Sequence, residues 1–274
     1  MPLLLGLALA ALIGYAGYRR RALSKSGVAG AIITGGLIFG FGGLSGAALL
    51  LAFFVSSSAL SRFKESQKED LAEKFSKGSQ RDLGQALANG GVAAACLALW
   101  GLNAAPAWWV AAAAALATAN ADTWATELGV LNRTPPRLIT TAHVVEIGTS
   151  GGVSLGGTLA AGAGALLIAA VALAAVVLDP GLVSLRSAGP ALVPLIALVG
   201  LAASLFDSLL GATVQAIYYC DACQKETERH PLHRCGAPTH RVRGWAWLNN
   251  DWVNFLATAF GAALGALGWL WLAS

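Results

Sequence analysis

Residues 117–157, ATANADTWATELGVLNRTPPRLITTAHVVEIGTSGGVSLGG, decide how the chain is read, because an apolar run changes character within them. The preceding WWVAAAAALATA reads as a membrane helix, and Asn120, Asp122, Thr123, Thr126 and Glu127 follow within a few residues. Ionisable side chains in a membrane span are costly and mark functional sites. A loop with two prolines comes next, then Glu146 and the cluster GTSGG, directly ahead of another long apolar run. Carboxylates first and a glycine-rich phosphate cradle second make this stretch half of an active site at the membrane face.

Working outward, the 274-residue chain is 56% hydrophobic and only 12% charged, with a mean hydropathy of +0.64. Soluble domains carry about 25% charged residues, so the chain reads as an integral membrane protein, all-α and polytopic, with residues 1–274 as one membrane domain. Apolar runs able to cross a hydrocarbon core of about 30 Å fall at 2–18, 27–43, 44–60, 83–102, 105–125, 152–178, 189–218 and 252–272. About eight spans are predicted, with seven to nine compatible. The glycine-rich GGLIFGFGGLSG fits either a tight hairpin of two short helices or a re-entrant pair. Residues 2–18 lack a leading positive charge and a cleavage pattern, which fits a first membrane helix better than a cleaved signal peptide.

Under the eight-span reading all of the eighteen Lys and Arg except Arg186 fall on one side. Positive loops favour the cytoplasm, which puts the candidate site on the cytoplasmic face of the cell inner membrane and both termini outside. The net charge of +4 thus belongs to short loops, and nucleic acid is not expected as a partner. Residues 61–82 alternate in charge sign and read as a cytoplasmic amphipathic segment, with Phe63, Leu71 and Phe75 on the headgroups, or as a solvated spacer. A homodimer is left open.

Four constellations carry chemistry. On a helix Asp122 and Thr126 lie one turn apart, with Thr123 and Glu127 beside them at the same spacing. Two carboxylates near Asn120 suit Mg²⁺, which binds through one or two carboxylates plus substrate phosphates, and Asp207 and Asp251 add carboxylates at similar depth. The plainer reading makes Asp122 a helix cap and pairs Glu127 with Arg133 or Arg137. In GTSGGVSLGG, backbone N–H groups at a helix N-terminus, with Thr149, Ser150, Gly151, Gly152 and Ser154, attract anions; helix packing through Gly152, Gly156 and Gly157 is the alternative. Gln85 and Asn89, and Asn249, Asn250, Asp251 and Asn254, form two polar edges. Asn250 and Asn254 are one turn apart, and capping explains only one asparagine. Lys25 between two serines, and Ser56 to Ser58 ahead of Arg62, offer further phosphate contacts.

The last constellation is the cytoplasmic loop at 219–245. Cys220 and Cys223 form a CxxC knuckle, and Cys235 with His233, His230 or His240 completes a tetrahedral structural Zn²⁺ site. Cys220, Cys223, His233 and Cys235 are the preferred set; free thiols are the alternative. Cys96 stands alone in an apolar run.

NADTWATELG, PRLIT, GTSGGVSLGG, the CxxC…HxCG loop and NNDWVN together resemble the DUF92 family of integral membrane proteins, which includes eukaryotic transmembrane protein 19 and the plant phytyl-phosphate kinase. The resemblance runs from about Lys25 to about Thr258. It implies a polytopic helical fold and, through the plant member, phosphoryl transfer from a nucleotide, CTP preferred, to a prenyl monophosphate of phytyl or geranylgeranyl type. DTWATELG and FDSLLGA are also similar to the acidic-glycine signatures of dolichol kinase and the CDP-lipid synthases. The implied functional positions are Asp122, Glu127, Thr149, Gly151, Gly152, Asp207, Asn250 and Asp251.

The expectation is a membrane-embedded prenyl-phosphate kinase. Asp122, Glu127, Asp207 and Asp251 are its catalytic residues, the first three holding Mg²⁺. Lys25, Asn89, Asn120, Thr126, Arg137, Thr149, Ser150, Gly151, Gly152, Asn250 and Asn254 contact the nucleotide and the isoprenoid phosphate. The rivals are a cytidylyltransferase acting on a lipid phosphate and an isoprenoid-phosphate transporter or flippase gated by broken helices at 34–46.

Overall fold

Capping residues set where the helices begin. In the computed structural model, which describes residues 2–64, 80–132 and 134–274, Ser24 accepts from the Gly27 N–H at 3.1 Å to start α1's successor, α2. Asp82 and Gln85 form a reciprocal capping box, and Ser154 and Asn249 cap the helices that follow them. The helices are α1 Pro2–Arg19, α2 Lys25–Arg62, α3 Leu83–Asn103, α4 Pro106–Gly129, α5 Leu155–Leu178, α6 Gly189–Thr213 and α7 Asn250–Leu272, with a 3₁₀ stretch at Pro180–Ala188. Leu71, Phe75 and Arg133, and most of the expected amphipathic segment at 61–82, lie outside the described residues.

The glycine-rich stretch folds α2 back on itself. Gly43 has φ 57° and ψ −149°, a left-handed conformation that glycine adopts readily. A Cβ placed on Gly35 would lie 3.7 Å from Leu50 Cδ2, and one on Gly46 would lie 3.0 Å from the Ile38 carbonyl oxygen. In a straight helix residues 35 and 50 would stand about 22 Å apart. The two legs are therefore antiparallel neighbours, the hairpin alternative of the sequence reading.

Among the described residues, five helical stretches are long and apolar enough to cross a membrane: Lys25–Arg62, Leu83–Asn103, Leu155–Leu178, Pro180–Thr213 and Asn250–Ala273. The expected span at 105–125 is not one of them, and the physical reason is its place in the bundle. Helix α4 packs against α2, α3, α5, α6 and α7. From Trp109 to Ala121 every residue is buried. A helix enclosed by protein on all sides needs small side chains rather than lipid-facing ones, and alanine supplies them. Large apolar residues such as Leu44, Leu178, Leu198 and Trp271 are exposed on the surrounding helices instead.

An all-α fold omitted two small sheets. Arg137–Leu138 (β1) pairs antiparallel with Gly152–Val153 (β2). In the cysteine loop, Ile217–Cys220 (β3) is flanked by Lys225–Thr227 (β4) and His240–Arg243 (β5), in the order β4-β3-β5. Strands of two to four residues lie below the length at which alternation is legible.

Contacts between segments gather the long loops at one end of the bundle. The Ser24 N–H donates to the Arg81 carbonyl and the Arg81 N–H to the Ala22 carbonyl, both at 3.0 Å. The Arg62 guanidinium donates to the Arg20 carbonyl, and Ser61 Oγ donates to Glu127 at 2.5 Å. Ala216 N–H donates to the Leu248 carbonyl at 2.8 Å.

Packing around α4 yields a stability contrast. A Cβ on Gly200 would lie 2.9 Å from the Cβ atoms of both Ala117 and Ala165. Gly200→Val is expected to cost about 1–3 kcal/mol or more through overpacking, whereas Leu198→Ala, on a side chain 65% exposed, should stay within about 0.5 kcal/mol. Thermal unfolding of the two variants in detergent checks the difference.

Candidate functional site

The alanine helix α4 carries its polar residues on different faces, and each face meets a different neighbour. Asn120 is fully buried and works as a tie between helices. Its Oδ1 accepts from Ser56 at 3.1 Å and Ser57 at 3.2 Å, and its Nδ2 donates to the Gly164 carbonyl at 2.7 Å. Trp124 Nε1 donates to the same Ser56 hydroxyl at 3.3 Å. Both acceptor positions of this buried amide and one of its two N–H donors are engaged, so Asn120 serves as an interhelix tie.

Asp122 and Glu127 part company. Five residues on a helix separate two side chains by about 140° around the axis. Glu127 accepts from Ser61 and lies in the field of Arg81, on the α2 side. Asp122 faces α6, where its charge bears on Asp207, and a third carboxylate, Glu228, bears on both. The carboxylates that bear on one another are therefore Asp122, Asp207 and Glu228, while Glu127, grouped with the aspartates in the sequence, lies on another face. Asp207 Oδ2 is buried without a protein partner. A buried carboxyl oxygen beside two further carboxylates calls for a compensating proton or cation.

Glu228 comes from the cysteine loop, directly after β4. Gln215 Nε2 donates to Glu228 Oε1 at 2.8 Å, and Gln215 Oε1 accepts from Ser150 at 2.8 Å. This chain of bonds connects the cysteine loop to the glycine loop across the end of α6. Gly151, with φ 83°, packs so closely there that a Cβ would meet the Ala212 backbone nitrogen at 2.5 Å. Arg243 Nη1 donates to the Ala212 carbonyl at 2.7 Å, and its buried Nη2 has no protein partner.

The glycine loop itself differs from the expected helix N-terminus. Helix α5 starts at Leu155 under the Ser154 cap, and GTSGG precedes it as a turn. Gly152 N–H donates to the Thr149 carbonyl at 3.0 Å and Thr149 N–H to the Glu146 carbonyl at 3.1 Å. Those two amides serve the turn, which leaves the Ser150 hydroxyl and the Gly151 backbone as the part of the loop that reaches α6.

Other expected residues divide. Arg137 is exposed and donates to the Ala142 carbonyl in its own turn at 2.9 Å. Thr126 is exposed at the loop end of α4, and Lys25 is exposed at the start of α2. Asn249 is the α7 cap, accepting from Trp252 N–H at 3.2 Å. Asn250, Asp251 and Asn254 are half-buried in the first turns of α7. Asn89 donates to the Gln85 carbonyl at 3.0 Å and lines a cleft with Arg81, away from the carboxylate trio. Glu228, Gln215 and Arg81 were not anticipated; the repeated acid in KETER was the one signal, and it does not tell Glu226 from Glu228.

In the cysteine loop, the ligand atoms of Cys220, Cys223, His233 and Cys235 all lie within 4.8 Å of one another. Four ligands about 2.3 Å from a tetrahedral centre stand about 3.8 Å apart; Cys220 Sγ and Cys235 Sγ are separated by 3.7 Å. His233 Nδ1 lies 3.2 Å from Cys235 Sγ, and this hydrogen bond pulls the Cys235 thiol down to about 6, favouring the thiolate that metals bind. The group fits a closed four-ligand metal site. His230 instead stacks on Tyr218 with ring centroids 4.5 Å apart, and His240 pairs with Asp221 at 3.2 Å.

Fold and site together define an integral membrane protein, mostly helical, with buried carboxylates and a group of three cysteines and one histidine able to hold a metal at one end of its bundle. The chain belongs to the family described as integral membrane protein DUF92, which matches residues 8–262. It is 33% identical to Protein PGR of Arabidopsis thaliana, over 93% of this chain and 92% of that protein. An uncharacterized membrane protein of Methanocaldococcus jannaschii is also 33% identical, over 91% of this chain and 87% of its own length. Protein VTE6, chloroplastic, of Arabidopsis thaliana is 29% identical over 89% of this chain and 65% of its own length. No solved structure matches.

The knuckle gives a direct expectation. Protein purified without chelator should carry about one zinc per chain, and Cys223→Ser should lose most of it, as read by elemental analysis.

Proposed function

We propose that the protein is a prenyl-phosphate kinase that transfers the γ-phosphoryl group of a nucleotide, CTP by family resemblance, to an isoprenoid monophosphate. The observation that carries this reading is that Asp122, Asp207 and Glu228, from three separate segments, lie in one another's electrostatic field, with Asp207 Oδ2 buried and without a protein partner. Those three residues would hold Mg²⁺, which when bound neutralises phosphate charge and orients the nucleotide. An oxygen of the acceptor monophosphate attacks the γ-phosphorus, the bond from that phosphorus to the bridging oxygen breaks, and the nucleoside diphosphate leaves with the electron pair. The attacking monoester is already an anion at neutral pH, so no side chain has to remove a proton from it. The protein's work is positioning and charge neutralisation. Ser150 and the Gly151 backbone border the nucleotide phosphates; Asn250, Asp251 and Asn254 form the wall contributed by α7.

In this reading the chain crosses the bilayer eight times, counting α1, both legs of α2 and the enclosed α4. The loop-rich end faces the cytoplasm because every Lys and Arg except Arg186 falls there, which leaves both termini outside the cell inner membrane. Zn²⁺ in the Cys220–Cys223–His233–Cys235 knuckle holds β4 in place and so fixes Glu228 beside the aspartates. A cytidylyltransferase would use the same carboxylates but attack at the α-phosphorus.

Purified protein supplied with Mg²⁺, geranylgeranyl monophosphate and CTP labelled at either phosphate distinguishes them. Label from the γ position is expected in a lipid diphosphate. Asp122→Asn, Asp207→Asn and Glu228→Gln are each expected to reduce transfer by about 10²-fold or more while the protein still inserts. Label from the α position in the lipid, or full activity in Asp122→Asn, contradicts the reading.

A further inference from the structure

Around α4 from the carboxylate trio lies a second feature, a cleft between α1, the two legs of α2 and α3. Counted together with the space open to its surroundings, it amounts to about 630 Å³. Most of its wall is apolar, from Ala10, Ile13, Leu50, Phe39, Phe53 and their neighbours. Apart from Thr34 on α2, its polar residues, Arg81, Gln85 and Asn89, lie on the segment that leads into and opens α3.

Arg81 is the unusual member. Its guanidinium stands over the rings of Phe53 at 5.1 Å and Phe54 at 5.8 Å. Its Nη1 is buried and has no protein partner. Burial lowers its pKa to about 10, with Glu127 opposing the shift, so it stays charged at neutral pH. The backbone is pinned from both sides by Ala22 and Ser24, which places the side chain beside the N-terminus of α2, where Lys25 and the helix dipole add positive potential. A buried, incompletely paired cation at one end of an apolar cleft is costly when empty of anion. The complement is an amphiphile with one long hydrocarbon chain and a small anionic head.

We propose that this cleft is the acceptor site, in which the hydrocarbon tail of an isoprenoid monophosphate lies between α1, α2 and α3 and its phosphate rests against Arg81 and the N-terminus of α2. The identity of the head group rests on the kinase reading; the cleft and its cation do not. Helix α4 then separates two substrates. The nucleotide sits on the Asp122 face and the lipid on the Glu127 face, offset by about 7.5 Å along the axis, and they meet at the loop end.

Full-length protein in detergent tests this by native mass spectrometry with geranyl, farnesyl and geranylgeranyl monophosphates, without nucleotide. Arg81→Gln is expected to weaken binding of all three at least tenfold. Ala31→Phe, which fills the cleft from α2, should weaken geranylgeranyl monophosphate at least tenfold and leave geranyl monophosphate within about twofold. Ile13→Trp narrows the same cleft from α1, so loss of fold in one variant leaves the other to decide. Parental affinity at every chain length in Arg81→Gln and in a folded cleft variant overturns the proposal. So does retained phosphatidic acid that geranylgeranyl monophosphate fails to displace. Binding as expected without any diphosphate product sinks the kinase reading and keeps the cleft. Product formed at parental rates and chain preference in all variants keeps the kinase and sinks the cleft.

Discussion

The structure depends on the enclosure of one alanine-rich helix. Pro106–Gly129 touches five other helices and buries thirteen consecutive residues, from Trp109 to Ala121. Small side chains let its neighbours approach closely, and packing rather than a hydrophobic driving force holds helices together in lipid. Polar groups at that depth must be satisfied from within the protein. Asn120 meets the requirement by bonding Ser56, Ser57 and the Gly164 carbonyl at once, which fixes the rotation of the helix. With rotation fixed, Asp122 is committed to α6 and Glu127 to α2.

That commitment gives the loop end two electrostatic characters. On one side, three carboxylates lie in one another's field with one oxygen unpartnered; on the other, a buried, incompletely paired arginine lies in the field of one glutamate beside an apolar cleft. On the proposed function the first would take the nucleotide and the second the lipid. The cysteine knuckle belongs to the first side: the sheet it closes brings Glu228 into reach of the aspartates through Gln215. It is thus part of the wall of the site as well as a staple of the loop.

Much of this was legible in the residues. Hydropathy gave the class, the glycine run around Gly43 gave the fold-back, and cysteine spacing gave the four clustered ligands, because each is a local property of sequence. The pairing of Asp122 with Asp207 was legible as shared depth. Glu127 falls apart from Asp122 because proximity in sequence is not proximity in space: five residues turn a side chain to another face of the helix. Glu228 and Arg81 escaped notice because nothing local marks them: one depends on the β4-β3-β5 register, the other on the pairing of residue 81 with Ala22 and Ser24. The GTSGG turn was taken for a helix start because capping at Ser154, two residues on, carries much the same composition.

The central claim is that the enclosed helix sorts its two carboxylates into a metal side and a cation side. Mn²⁺ binding to the purified protein, followed by electron paramagnetic resonance in the presence of CTP, tests it most directly. The account predicts about one tightly bound ion per chain, with affinity lost in Asp207→Asn and kept in Glu127→Gln. Mn²⁺ bound equally well by Asp207→Asn, or released by Glu127→Gln alone, would contradict it.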